Sequence, residues 1–83
     1  MALANPTKVS DLWYDDGNIV LQAESSLFRI SLGVLAAHSP IFDAIRKLPQ
    51  SQDQEMYEDC PLVVLHDKAE DLGNFLRAVY DSG

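Results

Sequence analysis

The sequence predicts an α+β fold, in which a small mixed three-stranded sheet (a β-hairpin plus one strand) packs with three or four short helices. Three observations support this prediction. Apolar and polar residues alternate with a period of two over residues 18–24. Helix-start signals follow at Ser31 and at Ser39-Pro40. A compact apolar strand at residues 62–65 then precedes a third helical pattern.

The hairpin is predicted from turn residues and alternation. Asp16-Gly17 is a turn signal after the apolar cluster at residues 12–14. One face of the following strand, residues 18–24, is apolar. Ser25-Ser26 predicts a second turn, and residues 27–30 are the returning strand.

Two short helices are predicted next. Ser31 has the chemistry of an N-cap for a helix over residues 32–38. Gly33 is a poor helix former, so packing must stabilise this helix. Ser39 followed by Pro40 starts a second helix, which Pro49 ends. Its apolar residues follow at helical spacing: Ile41, Phe42, Ile45 and Leu48.

The last third of the chain is predicted to contain a loop, a strand and a helix. Residues 50–60 are polar and acidic and predict an exposed loop. Residues 62–65 form a buried strand. Asp67 and Glu70 are three residues apart, which predicts a capping box for the third helix. One face of this helix is apolar: Leu72, Phe75, Leu76 and Val79.

Size and composition limit the function. The 83 residues suit one small domain, with residues 1–10 predicted as a flexible segment and residues 11–83 as the core. The net charge of −7, from 13 acidic and 6 basic residues, argues against nucleic acid and an anionic membrane as partners. The single cysteine, Cys60, excludes an intrachain disulfide and favours an intracellular location, cytoplasmic or nuclear. No apolar run approaches the roughly 18 residues of a membrane span.

No catalytic, cofactor-binding or metal-binding residue is predicted. His38 and Ser39 are adjacent, but Ser39 is better explained as a cap, and no third catalytic group can be named. Cys60 and His66 lack metal-ligand spacing. A small hydrolase or redox protein that uses Cys60 or Ser39 is the alternative from another class.

Two segments of the sequence resemble the BTB/POZ domain family. The first, FRISLGVLAAHSPIFDAI (residues 28–45), matches its signature at Phe28, Arg29, Val34, Leu35, Ala36, Ala37, Ser39 and Phe42. The second, LVVLHDKAEDLGNFLRAVYDSG (residues 62–83), matches at Leu65, Asp67, Phe75, Leu76 and Tyr80. The opening WYDDGNIVLQAE is close to the mushroom-type fungal form. The resemblance spans residues 11–83 and lacks the family's C-terminal helical hairpin. Ser31-Leu32 and Asn18 stand where the family often has His-Lys and Asp.

The function expected is that of a non-enzymatic protein–protein interaction module. The helix over residues 32–38 is apolar almost all round, so one side is predicted as core, through Val34 and Leu35, and the other as an interface. Trp13 and Tyr14 either attach their strand to the core or anchor another chain. The predicted interface comprises Trp13, Tyr14, Leu32, Gly33, Ala36, Ala37 and Pro40.

The expected assembly is a homodimer that forms through the first helix and the N-terminal arm. The resemblance implies that the first helix lies at a dimer contact. It also implies other BTB-containing chains or a ubiquitin-ligase scaffold as further partners. The alternative is a monomeric adaptor that resembles the Skp or elongin-C type and binds a different protein.

Overall fold

The fold is α+β and contains a five-stranded sheet, in a computed structural model that describes residues 6–47 and 55–81. The elements in chain order are β1 (Thr7–Trp13), β2 (Ile19–Ala23), β3 (Ser26–Ile30), α1 (Leu32–His38), α2 (Pro40–Lys47), β4 (Met56–Tyr57), β5 (Cys60–Leu65) and α3 (Ala69–Asp81). The strand order is β1-β3-β2-β5-β4. Strands β1–β3 and β2–β5 are parallel pairs, whereas β2–β3 and β4–β5 are antiparallel. The predicted fold class is therefore confirmed, and the sheet is mixed.

The prediction of three strands is wrong, because two edge strands give little local signal. Strand β1 includes residues 7–10, which fall in the segment predicted as flexible, and it pairs in parallel with β3. Parallel strands are not joined by a tight turn, so no turn residue in the sequence signals this pairing. Strand β4 has two residues and lies within the predicted acidic loop. Residues 48–54, which include the predicted stop at Pro49 and part of that loop, lie outside the described residues.

The connection from β1 to β2 crosses the C-terminal end of β3, because β3 lies between those strands. The predicted turn is present: the Gly17 N–H donates to the Tyr14 carbonyl oxygen at 3.0 Å. Gly17 is buried against the β3 backbone. An added Cβ would lie 2.7 Å from Arg29 Cγ and 2.9 Å from the Ile30 nitrogen. Only glycine fits this close crossing without displacing β3.

The β2–β3 hairpin turns at Glu24-Ser25, one residue earlier than predicted. Ala23 pairs with Ser26, so Ser26 already belongs to β3. Glu24 has a φ of 54°, a left-handed conformation that side chains rarely adopt. Its carboxylate compensates by accepting a hydrogen bond from the Ala69 N–H at 2.7 Å. The hairpin thereby caps the first turn of α3.

The bounds of α1 and the start of α2 are as predicted. The Ser31 hydroxyl accepts a hydrogen bond from the Val34 N–H at 3.4 Å, so Ser31 is the N-cap of α1. Asn18 adds a second cap that sequence reasoning missed, since its Oδ1 accepts from the Leu32 N–H at 2.8 Å. Helix α2 begins at Pro40, as expected for proline in a first helical turn.

The C-terminal elements depart from prediction at their boundaries. Strand β5 begins at Cys60, and β4 joins it through Glu58 and Asp59, with φ values of 49° and 71°. Two positive φ values are typical of a type I′ hairpin turn. Helix α3 begins at Ala69, so the predicted capping box of Asp67 and Glu70 is replaced by the long-range cap from Glu24.

The two faces of the sheet carry separate apolar clusters. The main core lies between the sheet and the helices and contains Leu12, Ile19, Leu21, Ala23, Phe28, Ile30, Leu35, Phe42, Leu72, Leu76 and Val79. The second cluster comes entirely from strands and contains Val20, Leu27 and Cys60, covered by Trp13, Tyr57 and Leu62. Alternation along β2 separates the clusters, since Val20 faces away from Ile19 and Leu21.

Candidate interaction surfaces

Helix α1 is predicted to be half core and half interface, and its burial is one-sided. Leu35 is fully buried, with 0% of its surface exposed, and is the buried residue of this helix. Val34 is 36% exposed, so its assignment to the core is wrong. Adjacent helical residues differ by about 100° in direction, so Val34 and Leu35 cannot share one face. We call Gly33, Val34 and Ala37, all exposed, the outward face of α1.

The other predicted interface residues of this region lie beside the outward face. Leu32 is partly buried and packs against the main core, and Ala36 is partly exposed. Pro40 is exposed at the start of α2. The outward face and Pro40 carry no charge, whereas Leu32 contributes most of its surface to its own subunit's core.

Trp13 packs against the second cluster, on the face of the sheet away from the helices. Its ring meets the Tyr57 ring edge to face, with centroids 5.9 Å apart. The Lys8 ammonium lies 4.7 Å from the Trp13 ring centroid and 2.7 Å from a Glu58 carboxylate oxygen. The hydrogen bond to Glu58 raises the pKa of Lys8, against a smaller desolvation effect. Trp13 therefore attaches β1 to β4 within one chain.

Tyr14 packs on the opposite side, against α3. Its ring stacks on the Tyr80 ring, with centroids 4.4 Å apart and planes inclined by 15°. The Tyr80 hydroxyl oxygen accepts a hydrogen bond from the Ser31 N–H at 2.9 Å. Burial is the main cause that raises the pKa of Tyr80, while the bond from Ser31 lowers it. Of the two roles open for Tyr14, the structure shows attachment to its own core.

A surface ion pair also holds β1 to α3. The Arg77 guanidinium donates to both carboxylate oxygens of Asp11, at 2.7 and 3.2 Å. This bidentate contact lowers the pKa of Asp11 and raises that of Arg77. Both groups are solvent-exposed, so the pair orients the strand more than it stabilises the fold.

The catalytic and metal candidates are dispersed. Ser39 lies between α1 and α2, and its carbonyl accepts from the Asp43 N–H at 3.0 Å. His38 and His66 are exposed, while Cys60 is 5% exposed and its thiol points toward the Gly17 carbonyl oxygen at 3.8 Å. Within residues 6–47 and 55–81, no three His, Cys, Asp or Glu side chains cluster as metal ligands would. The alternative of a hydrolase or redox protein therefore stays a prediction.

Sequence reasoning missed a second apolar feature, formed by α2 and α3. Phe75 is predicted on the core face of α3 but is 37% exposed, unlike Leu72, Leu76 and Val79, which are buried. Ile41, on α2, is 71% exposed. The signal was available in the sequence only as helical spacing, which does not show how α2 and α3 are arranged relative to each other.

Comparison with known proteins does not place the chain in a family. No protein-family model matches it, and no curated protein or solved structure does either. The BTB/POZ resemblance therefore stays a prediction. The helices of the described residues are all too short or too polar to cross a membrane.

Proposed function

We propose that the chain is a non-enzymatic protein–protein interaction module that self-associates through the outward face of α1. One observation carries the proposal: α1 buries Leu35 and leaves Gly33, Val34 and Ala37 exposed. A seven-residue helix has few backbone hydrogen bonds and gains little from propensity, so it depends on packing. A second chain on the outward face would supply packing on the side that its own subunit leaves bare.

The chemistry of the outward face suits close approach. Gly33 and Ala37 are four residues apart and have small side chains, so a partner helix can lie near the backbone. Val34 adds an apolar side chain beside them. The order of motifs that resembles BTB/POZ domains supports the same proposal, because the corresponding helix of that family commonly lies at a dimer contact.

The outward face alone is too small for a stable dimer. A specific interface buries about 1,000 Å² or more in total, which requires neighbouring elements to contribute. We assign Pro40, the partly buried Leu32 and Ala36, and Tyr14 to the periphery, whereas Trp13 lies on the other face of the sheet and outside the proposed contact. The two aromatic side chains remain attached to their own subunit in this arrangement.

The test is the Ala37→Glu variant, with Ala78→Glu as its matched control. Both alanines are exposed and helical, but Ala78 lies on α3. In a twofold contact, Ala37→Glu places a carboxylate on each copy of the same surface. Like charges brought together at an interface cost several kcal/mol, so we expect the dimer dissociation constant to rise about 100-fold or more. Sedimentation equilibrium over a concentration series measures this constant.

The outcomes separate the candidates. A wild-type dimer that Ala37→Glu weakens and Ala78→Glu leaves intact supports the proposal, provided that circular dichroism shows both variants folded. A dimer that Ala37→Glu does not weaken contradicts the proposed contact. A wild-type monomer at high micromolar concentration contradicts self-association and favours the monomeric adaptor.

A further inference from the structure

Helices α2 and α3 enclose an open apolar groove of about 280 Å³. We call it the α2–α3 groove, and its lining residues are Ser39, Ile41, Phe42, Asp67, Asp71, Leu72 and Phe75. Phe42 and Phe75 lie with their rings nearly parallel, 6.1 Å between centroids and 12° between planes. Phe42 is buried at the base, while Phe75 and Ile41 remain exposed at the walls.

The exposed apolar side chains of this groove are grouped. Single exposed hydrophobic residues are normal on any protein surface. Here Ile41 and Phe75, two of the five large apolar side chains that stand out as exposed among the described residues, line one concavity. Grouped apolar exposure around a depression indicates a binding surface. The outward face of α1 does not line this groove, so the two surfaces are separate.

The polar edge of the groove is acidic. Asp67 and Asp71 contribute carboxylates and Ser39 a hydroxyl, whereas no Lys, Arg or His lines it among the residues whose side chains the structure describes. Neither carboxylate belongs to an ion pair among the described residues, in contrast to Asp11 and Asp43. The chain as a whole carries a net charge of −7. An occupant that carries positive charges next to an apolar side chain complements the groove, because the charges face the carboxylates and the apolar side chain faces the apolar lining.

We propose that the α2–α3 groove binds a short, cationic amphipathic segment of another protein. One or two bulky apolar side chains of that segment insert between Ile41 and Phe75. Lys or Arg residues next to them pair with Asp67 and Asp71. The volume of about 280 Å³ is at the lower end of the roughly 300–1,000 Å³ of ligand pockets, which leaves room for one or two side chains. A second copy of this acidic chain complements the edge poorly in charge.

A synthetic peptide tests this proposal directly. The probe is a fluorescein-labelled helical peptide of about 12 residues, roughly three turns, with leucine on one face and lysine on the other. The control probe carries glutamate in place of every lysine. Fluorescence anisotropy with the full chain at low salt measures both dissociation constants. We expect the lysine probe to bind and the glutamate probe to bind at least tenfold more weakly.

Matched variants locate the binding. Ile41→Ser removes an exposed apolar side chain from the groove, and Met56→Ser removes one that is 56% exposed on β4. We expect Ile41→Ser to weaken binding about tenfold, because burial of a large aliphatic side chain is lost, and Met56→Ser to leave it unchanged. The double variant Asp67→Asn with Asp71→Asn should weaken binding about fivefold at low salt and less at high salt. The double variant Asp15→Asn with Asp16→Asn, in the exposed turn after β1, is its charge control, because it also removes two negative charges.

Several results would overturn the proposal. Equal binding of the two probes would show that charge does not select the occupant. Unchanged binding to Ile41→Ser, or an equal loss in Met56→Ser, would place the site elsewhere. A wild-type dimer that Ile41→Ser converts to a monomer would make a second copy the occupant. A failure of the proposed dimer can be distinguished from a failure of the groove proposal, because the Ala37→Glu variant should still bind the lysine probe with wild-type affinity.

Discussion

Replacement of Gly17 by alanine should destabilise the fold, because the added methyl group has no room. Gly17 lies where the β1–β2 connection crosses β3, and a Cβ there would meet Arg29 Cγ at 2.7 Å. The Arg29 side chain can rotate away, although its Nε–H would then lose the 3.0 Å bond to the Gly17 carbonyl. The Ile30 nitrogen, at 2.9 Å from the added carbon, belongs to the β3 backbone and cannot move alone.

The size of the effect follows from these two contacts. An added methyl that forces backbone shifts costs about 1–3 kcal/mol. Loss of the Arg29–Gly17 hydrogen bond adds roughly 1 kcal/mol. We therefore expect Gly17→Ala to lower the free energy of unfolding by about 2–4 kcal/mol. For a domain of this length, each kcal/mol shifts the melting temperature by about 4–8 °C, so the expected decrease exceeds about 8 °C.

Gly33→Ala is the matched control for this measurement, which is made at a protein concentration below the dimer dissociation constant because Gly33 lies on the proposed contact. A Cβ at Gly33 would have Ser31 Oγ as its nearest neighbour, at 3.7 Å, which is ordinary van der Waals contact. Alanine at a compatible helical position stabilises by about 0.4–1 kcal/mol, since it reduces the entropy of the unfolded chain. Thermal and guanidinium unfolding, followed by circular dichroism, should give opposite signs for the two variants. If Gly17→Ala unfolds at or above the wild-type temperature, the close crossing of β3 is not present in solution.

Two further predictions concern the long-range contacts that hold the helices. Glu24→Ala removes the cap on the Ala69 N–H and keeps the left-handed turn, so it should lower the free energy of unfolding by about 1 kcal/mol; wild-type stability of this variant in guanidinium titrations would contradict the cap. Glu24→Gly also relieves the turn strain and should cost less, and the reverse order of the two variants would contradict the strain. Burial raises the pKa of Tyr80 above its ordinary value of 10.0, so the folded state favours the neutral phenol. The contribution of this group to the free energy of unfolding is fully present below pH 10 and is lost as the pH rises through the raised pKa. Stability of the wild type should therefore fall more steeply above pH 10 than that of Tyr80→Phe, and parallel curves would refute this.

The predictable parts of the fold are those with local causes. Ser31 and Pro40 each act on the next few backbone groups, so the sequence locates α1 to the residue and α2 at its start. Strand β1 depends on pairing with β3, about 19 residues away along the chain (Thr7 with Ser26), and no turn residue signals that pairing. The β4–β5 turn uses Glu58-Asp59 in place of Asn-Gly or Asp-Gly, so its sequence resembles that of a loop.

The candidate surfaces were predictable only in part. Helical spacing locates the α1 region, yet it puts Val34 on the wrong side because both faces of α1 are apolar in sequence. The exposure of Phe75 and Ile41 depends on how α2 and α3 are placed around the groove, a tertiary property that spacing does not encode. The caps from Asn18 and Glu24 likewise join residues 14 and 45 positions apart.

The attachments of β1 imply an order of events during synthesis. Strand β1 leaves the ribosome before the residues that it contacts, because Lys8, Asp11 and Tyr14 pair with Glu58, Arg77 and Tyr80, up to 66 residues further along the chain. A chain translated from its N-terminus must keep β1 incompletely docked until α3 emerges. Contacts between residues 66 positions apart also require long loops to close before the native state forms. Folding should therefore be slower than that of a helical bundle of equal size. A nascent chain stalled before residue 77 should therefore expose β1 to proteases that the finished protein resists.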